Sequence, residues 1–131
     1  MRAVFADTFY WIALTNRLDA AYGRAQEFTD DIVTTEEVLT EYLNYFSGSS
    51  HLRHKAGLIV NTLLHDPTVR LIPQSHEAFM AGLALYRARP DKGYSLTDCI
   101  SMEVMRREGL TDVLTNDRHF EQEGFRALFR S

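Results

Sequence analysis

Two aspartates occupy strongly marked settings in the stretch from Tyr94 to Phe120. Asp98 lies in the first turn of a predicted helix that begins after Ser95, and Asp117 lies just past a predicted short strand. An α/β fold places its chemistry at the carboxyl ends of parallel strands. If the helix between the two aspartates packs back on the sheet, both carboxylates reach one edge. The stretch therefore predicts half of a metal site, whose other ligands must come from elsewhere in the chain.

Two more acidic side chains can reach the same edge. Asp7 directly follows the apolar run Arg2-Ala3-Val4-Phe5-Ala6, which predicts a buried strand, and Glu41 borders the apolar face of a predicted helix. Four converging carboxylates would raise one another's pKa values steeply unless cations neutralised them. Hard oxygen ligands suit Mg²⁺ or Mn²⁺, which keep water ligands and bind phosphate oxygens. One or two such ions can activate water for an in-line displacement at a phosphodiester.

Each acidic position also has a structural explanation. Asp7 could cap the helix that follows it, and Asp98 would be favoured by the helix dipole in a first turn. Glu41 could lie on a solvated helix edge. Glu37 completes a Thr-x-x-Glu capping box with Thr34, which makes a structural role the better interpretation of Glu37. Asp117 could be an ordinary turn residue. For the quartet, four separate explanations would have to hold at once, and this favours a single metal site.

A small basic group flanks the two later aspartates. Arg89 and Lys92 lie in a loop rich in Pro, Asp and Gly just before the helix of Asp98, and Arg118 directly follows Asp117. Side chains of this kind can contact phosphate groups beside a metal site, and the alternative is ordinary solvated loop charge. We predict phosphate contacts for these three residues.

The pattern of apolar runs and turn residues predicts the elements that must position these side chains. Strands are predicted at 2–6, 31–34, 68–72, 112–115 and 125–129. Helices are predicted at 8–14, 18–28, 35–47, 51–65, 75–89 and 96–108, the last of them ended by Gly109. Strands separated by helical segments indicate an α/β fold with a mostly parallel sheet and helices on both faces.

Composition bounds the class of protein. A chain of 131 residues with 45% hydrophobic and 24% charged residues is typical of one globular domain, and we expect residues 1–131 to form it. The single cysteine, Cys99, excludes an internal disulfide framework and fits a reducing cytosol. We find no export signal and no apolar run long enough to span a membrane. The net charge of −4 argues against broad electrostatic coating of nucleic acid.

With these motifs in view, the chain resembles the PIN-domain ribonucleases, in particular the VapC-like toxins of toxin–antitoxin pairs. The matching segments are Phe5-Ala6-Asp7-Thr8, the run from Thr34 to Glu41, the run from Arg89 to Ser101, and Leu114-Thr115-Asn116-Asp117-Arg118-His119-Phe120. They occur in the order of the family across essentially the whole chain. The short acidic motifs carry little specificity alone, and the two longer runs make the resemblance specific.

The resemblance implies a three-layer α/β/α fold with a five-stranded, mostly parallel sheet. It implies that the acidic quartet Asp7, Glu41, Asp98 and Asp117 holds Mg²⁺ or Mn²⁺, and that Thr8, Thr115 and Asn116 support that site. It also implies an RNA substrate, frequent homodimers and a small cognate antitoxin. We expect Arg89, Lys92 and Arg118 to contact the RNA phosphates, and the single cysteine leads us to expect a cytoplasmic location. The helices between Ala20 and His65 are the expected antitoxin surface.

The sequence therefore predicts a metal-dependent endoribonuclease, the toxin of a type II toxin–antitoxin pair. The alternative is a PIN-like interaction module with little or no nuclease activity. A haloacid-dehalogenase-like phosphatase is disfavoured because it wants a second aspartate two residues after Asp7, where this chain has Phe9. A response-regulator receiver is disfavoured because it wants an acidic pair after the first strand, and only Asp7 is present there.

Overall fold

A computed structural model describes residues 3–130 of the chain, so Arg2 of the first predicted strand lies outside the described residues. The strands are β1 (Ala3–Ala6), β2 (Asp31–Thr35), β3 (Val69–Ile72), β4 (Asp112–Leu114) and β5 (Arg126–Ala127). The helices are α1 (Thr8–Thr15), α2 (Tyr22–Gln26), α3 (Glu36–Tyr45), α4 (Ser50–Leu63), α5 (His76–Ala88), α6 (Leu96–Glu108) and α7 (Arg118–Gln122). The predicted alternation of strands and helices is confirmed.

The five strands form one parallel sheet in the order β3-β2-β1-β4-β5. β1 lies at the centre, and its last residue, Ala6, is in register with Leu114, the last residue of β4. The segments that leave β1 and β4 therefore emerge side by side at the carboxyl edge of the sheet. This register places Asp7 and Thr115 next to each other, although they are 108 positions apart.

Helices cover both faces of the sheet, as the prediction of three layers requires. Val4, Phe5 and Ala6 are successive residues of β1 and are all buried, although neighbouring strand residues point to opposite faces. α6 is buried around much of its circumference, with Cys99, Ile100, Met102 and Met105 among its inaccessible side chains. α5 packs closely on α6, because Gly82 lets its backbone approach Ile100. No helix within residues 3–130 is long and apolar enough to cross a membrane.

The start of α3 differs from the predicted capping box. The N-cap is Thr35, whose hydroxyl accepts a hydrogen bond from the backbone N–H of Val38 at 3.1 Å. Thr34 instead remains in β2, where its buried hydroxyl donates to the carbonyl of Ala6 at 2.9 Å and accepts from Trp11 Nε1 at 3.3 Å. The Thr34 capping box was therefore wrong, because core hydrogen bonds hold that hydroxyl inside the sheet.

Three weakly periodic segments also differ from prediction. The predicted helix over 18–28 shortens to α2, and the predicted last strand over 125–129 shortens to β5. Beyond β5 the backbone N–H groups of Leu128 and Phe129 still bond to β4 and its extension, at 2.9 and 3.1 Å, without strand geometry. The segment after Asp117, where no helix or strand is predicted, contains α7. Its five residues are too few to show a helical period.

Candidate metal centre

Asp7 lies at the carboxyl end of β1, where the chain turns directly into α1. It occupies the N-cap position of α1, but its side chain makes no capping hydrogen bond, so the capping explanation was wrong for this residue. Its carboxylate is 6% exposed and accepts a hydrogen bond from Thr115 Oγ1 to Oδ2 at 2.8 Å. A buried carboxylate that leaves the helix uncapped has been placed for another purpose.

Thr115 connects two of the predicted ligands. While its hydroxyl donates to Asp7, the same oxygen accepts a hydrogen bond from the backbone N–H of Asp117 at 3.2 Å. Thr115 is fully buried at the end of β4, so this connection is shielded from water. The residue therefore fixes the Asp7 carboxylate relative to the segment that carries Asp117.

Glu41 is held by α1, across the carboxyl edge of the sheet. Its Oε1 accepts a hydrogen bond from Thr8 Oγ1 at 2.5 Å, and the side chain is partly buried. A solvated helix edge does not account for a carboxylate held in this way. The charge of Glu41 also contributes to raising the pKa of both Asp7 and Asp98, which places it in the same cluster.

Asp98 is the third residue of α6 and does cap the helix. Its backbone N–H donates to Ser95 Oγ at 3.0 Å, and its Oδ2 accepts from the backbone N–H of Ser95 at 3.2 Å, a complete capping box. Ser95 is the predicted N-cap. The bonded pair fixes the rotamer of Asp98 and holds its carboxylate at the edge shared with the other acidic residues.

Asp117 caps α7, and its carboxylate contacts His119. Its Oδ1 accepts a hydrogen bond from the backbone N–H of His119 at 2.9 Å, and the same oxygen lies 3.2 Å from His119 Nδ1. One ligand atom from each of Asp98, Asp117 and His119 lies within 4.8 Å of the others. His119 is a site residue that was not predicted from the sequence. Its position two residues after a capping aspartate is the local signal that could have found it.

Burial and mutual repulsion both act on these carboxylates. Burial is the main cause that raises the pKa of Asp7 from 3.8 to about 7, and the charge of Asp98 raises it further, while the hydrogen bond from Thr115 opposes the shift. Burial likewise raises the pKa of Asp98, with a contribution from the negative charge of Asp117. These are the shifts expected where several carboxylates share one poorly solvated edge.

The donor set fits a hard divalent cation. Among residues 3–130, no lysine or arginine forms an ion pair with any of the four predicted acidic ligands. The charge that would relieve the raised pKa values of Asp7 and Asp98 must therefore come from outside the described residues. Carboxylate oxygens clustered without a basic partner are the ligands that Mg²⁺ and Mn²⁺ prefer.

The predicted phosphate contacts occupy different environments. Arg89 is ion-paired through Nε with Glu123 Oε2 at 2.9 Å, and Arg106 Nη2 reaches Glu123 Oε1 at 2.8 Å. Lys92 and Arg118 are exposed on the segments that precede α6 and begin α7. Arg89 thus already has a structural partner, whereas Lys92 and Arg118 extend toward solvent beside the carboxylates.

The last predicted supporting residue, Asn116, is exposed, and its backbone carbonyl accepts a hydrogen bond from Arg130 Nη1 at 3.4 Å. Its side chain is not brought into the carboxylate cluster by any contact within residues 3–130. A support role for Asn116 therefore stays a prediction, whereas Thr8 and Thr115 touch predicted ligands directly.

A cavity of about 360 Å³ opens beside the carboxylate cluster. It is lined by Glu37, Thr40, Glu41, Asn44, Gln74, Leu96, Thr97 and Ile100. A larger cavity of about 510 Å³ lies at the opposite edge of the sheet, next to Ala3 and Asp112. Of these two cavities, the smaller one has a member of the quartet, Glu41, in its lining.

Several known proteins are similar to this chain in sequence or in structure. A sequence model of the PIN domain matches residues 4–125. The 23S rRNA-specific endonuclease VapC20 of Mycobacterium tuberculosis is 26% identical over 129 residues, covering 93% of this chain and 95% of the relative. The crystal structure of Mycobacterium tuberculosis VapC20, described as a Sarcin-Ricin loop cleaving toxin, matches with a TM-score of 0.82 at 24% identity. That match covers 93% of this chain and 95% of the crystallised chain.

A second solved structure has the same fold at lower similarity. It is a toxin–antitoxin complex from Klebsiella pneumoniae, matched with a TM-score of 0.62 at 16% identity over 88% of this chain and 87% of the other. These likenesses confirm the five-stranded α/β architecture.

Proposed function

The chain belongs to the PIN domain family, and on that premise we propose that it is a divalent-metal-dependent endoribonuclease. The observation that carries the proposal is the cluster of Asp7, Glu41, Asp98 and Asp117 at the carboxyl edge of the sheet, with Asp7 buried and no lysine or arginine paired with any of the four within residues 3–130. A cluster of this kind is costly to the fold unless it binds cations.

The residues divide the work according to their positions. Asp7, Asp98 and Asp117 would hold Mg²⁺ or Mn²⁺, and Thr115 keeps Asp7 in register with the segment of Asp117. When bound, such an ion lowers the pKa of a water ligand and neutralises charge on the phosphate oxygens. Glu41, steadied by Thr8, accepts a hydrogen bond from the attacking water and orients it.

The reaction is hydrolysis of an RNA phosphodiester bond. The water oxygen forms a bond to phosphorus as one ester P–O bond breaks, so that one product ends in a phosphate and the other in a hydroxyl. Exposed Lys92 and Arg118 contact the phosphates that flank the scissile bond. Arg89 contributes less charge to RNA binding because its guanidinium is ion-paired with Glu123. Its side chain is still partly exposed to solvent.

We further propose that the chain is the cytoplasmic toxin of a type II pair, inhibited by a small antitoxin, and that it forms homodimers. One of the relatives in fold is a toxin–antitoxin complex. The helices predicted as the antitoxin surface carry large apolar side chains in solvent, with Tyr45 66%, Leu58 55% and Leu64 56% exposed. Apolar side chains at such exposure are available to a partner.

The nuclease proposal is tested by removing single ligand charges. Asp7→Asn and Asp98→Asn are compared with wild type on 23S rRNA, transfer RNA and messenger RNA in Mg²⁺ and in Mn²⁺. We expect each variant to lose more than about 100-fold in cleavage rate, because even residues that only orient metal ligands cost 10–100-fold when mutated. Asp30→Asn, an exposed aspartate in the turn before β2, is the matched control and should cleave normally.

Wild-type cleavage by either ligand variant would overturn the nuclease proposal. Absence of Mg²⁺ and Mn²⁺ binding by the wild-type protein, measured by calorimetry, would instead favour the interaction module. The toxin role is tested separately by purifying the protein from its native host and by co-expressing any small reading frame found adjacent to its gene. A co-purified protein that suppresses cleavage supports the role, and purification without any small co-encoded protein contradicts it while leaving nuclease activity intact.

A further inference from the structure

His119 is the one member of the metal-ligating cluster whose chemistry differs from that of a carboxylate. Its Nδ1 is buried and lies 3.2 Å from Asp117 Oδ1. The two atoms are close enough for an ion pair when the ring is protonated, but this nitrogen has no hydrogen-bond partner within residues 3–130. A buried ring nitrogen without a partner costs free energy, so the arrangement calls for a ligand that the nitrogen can bind.

The separation of the two atoms matches adjacent positions around a metal ion. Two ligands at neighbouring corners of an octahedron, each about 2.1 Å from the ion, are about 3.0 Å apart. Asp117 Oδ1 and His119 Nδ1 are separated by 3.2 Å. Asp98 offers a third ligand atom within 4.8 Å of both residues, a distance that ligands of one ion span.

The imidazole is held in place before any ion arrives. The backbone N–H of His119 is fixed by the capping oxygen of Asp117, and the ring packs edge-on against Tyr94 with centroids 5.2 Å apart. Tyr94 is in turn anchored, because its hydroxyl donates to Glu123 at 2.8 Å and Glu123 is ion-paired with Arg89 at 2.9 Å. Outer residues that orient a ligand in this way raise metal affinity.

We propose that His119 is a direct ligand of the divalent ion and makes the site bind Mn²⁺ in preference to Mg²⁺. The inference rests on the proposed metal-dependent function and concerns the composition of its site. Mg²⁺ demands hard oxygen ligands, whereas a ring nitrogen strengthens binding of transition-metal ions more than binding of Mg²⁺. A site with three or four carboxylates alone has no such bias.

The test measures bound metal directly. Calorimetry gives the Mn²⁺ and Mg²⁺ affinities of wild type, His119→Phe, His119→Asn and the control His54→Asn, an exposed histidine on α4. Phenylalanine keeps the ring packing against Tyr94 and removes the nitrogen. We expect both His119 variants to lose at least about 10-fold in Mn²⁺ affinity and less than about 3-fold in Mg²⁺ affinity, as for loss of one nitrogen ligand. The control should match wild type.

Electron spin-echo spectroscopy of the Mn²⁺-bound wild-type protein supplies a readout that needs no variant to fold. Coupling of the Mn²⁺ electron spin to one ¹⁴N nucleus supports the inference, and absence of that coupling overturns it. Equal losses of both ions in the His119 variants would also overturn it and would make His119 a positioning residue for Asp117. If the wild type bound Mn²⁺ through nitrogen yet cleaved no RNA, the nuclease proposal would fail and this inference would stand.

Discussion

Asp7→Asn is expected to stabilise the metal-free protein while removing its capacity to bind divalent ions. Burial and the charge of Asp98 raise the pKa of Asp7 from 3.8 to about 7. Between these values the folded state holds a proton that the unfolded state has released, so stability falls as the pH rises from about 4 to 7. Asparagine keeps the size of the side chain and an oxygen that can accept the Thr115 hydrogen bond, but it carries no charge.

The magnitude follows from the size of the shift. About three pH units at 1.36 kcal/mol each make ionised Asp7 cost about 4 kcal/mol above pH 7. At pH 5 the folded state keeps its proton, and the cost falls to about 2 kcal/mol. We therefore expect Asp7→Asn to exceed wild type in unfolding free energy by up to about 4 kcal/mol at pH 8 and by roughly half as much at pH 5.

Urea-induced unfolding in EDTA measures this difference at both pH values. The single tryptophan, Trp11, is 1% exposed in the core and reports the transition by fluorescence. Asp30→Asn serves as the control and should show no gain. Adding Mg²⁺ or Mn²⁺ should stabilise wild type by mass action and leave Asp7→Asn unchanged. An Asp7→Asn protein no more stable than wild type at pH 8, or one stabilised equally by the ions, would refute the reasoning.

Two further predictions concern the scaffold around the site. Glu123→Gln should lower the unfolding free energy by about 2 kcal/mol at pH 7, because it breaks the ion pairs with Arg89 and Arg106. Breaking a fully buried ion pair costs about 3–5 kcal/mol. The expected loss is smaller here because both arginine side chains are more than one-third exposed. Unchanged urea midpoints would contradict it. Gly82→Ala should cost about 1–3 kcal/mol by thermal unfolding, because the added Cβ would lie 2.4 Å from Ile100 Cγ1, and a gain in stability would show that α5 shifts freely on α6.

The pH dependence of the Glu123 ion pairs has the opposite sign to that of Asp7. Burial acts to raise the pKa of Glu123. The hydrogen bonds from Arg89, Arg106 and Tyr94 outweigh burial and lower this pKa from 4.5 to about 2. The stabilisation from this group is therefore present above about pH 4.5 and is lost as the pH falls toward 2. When the metal-free protein is acidified from pH 8, protonation of Asp7 therefore first stabilises the fold, and the Glu123 ion pairs are lost only at lower pH.

Local signals in the sequence were sufficient to define the long elements. α6 begins after Ser95 and ends at Gly109 as predicted, because serine accepts the hydrogen bond of the first turn and glycine adopts the left-handed conformation, with φ of 70°. The hydrogen bonds within the site could not be predicted in this way. Thr115 reaches Asp7 and Thr8 reaches Glu41 only because the sheet order places β1 between β2 and β4.

Sequence reasoning also could not foresee the partner of Arg89. Its proximity to Asp98 in sequence favoured a phosphate contact, whereas Glu123 lies 34 positions away and becomes its partner only when the chain folds. The side chain of Glu123 is 4% exposed, and its carboxylate is bound by Arg89, Arg106 and Tyr94. This cluster has no local pattern in the sequence, because Glu123 lies far from the loop of Arg89 and Tyr94 and from Arg106 on α6.

For Asp7 and Asp98 the sequence left a helix-terminal role and metal binding as alternatives, and the structure shows that a capping aspartate can also belong to a group of side chains able to hold an ion, as Asp98 and Asp117 do. Asp98 uses Oδ2 for its capping box, and Asp117 uses Oδ1 to cap α7. A carboxylate has two oxygens and about four lone-pair sites, so one capping bond leaves capacity for an ion. The capping bonds also fix the rotamers, which lowers the entropy that metal binding must overcome. Asp7, which makes no capping bond, is oriented by Thr115 instead. In the metal site proposed above, these local roles would therefore pre-organise the carboxylates before an ion binds.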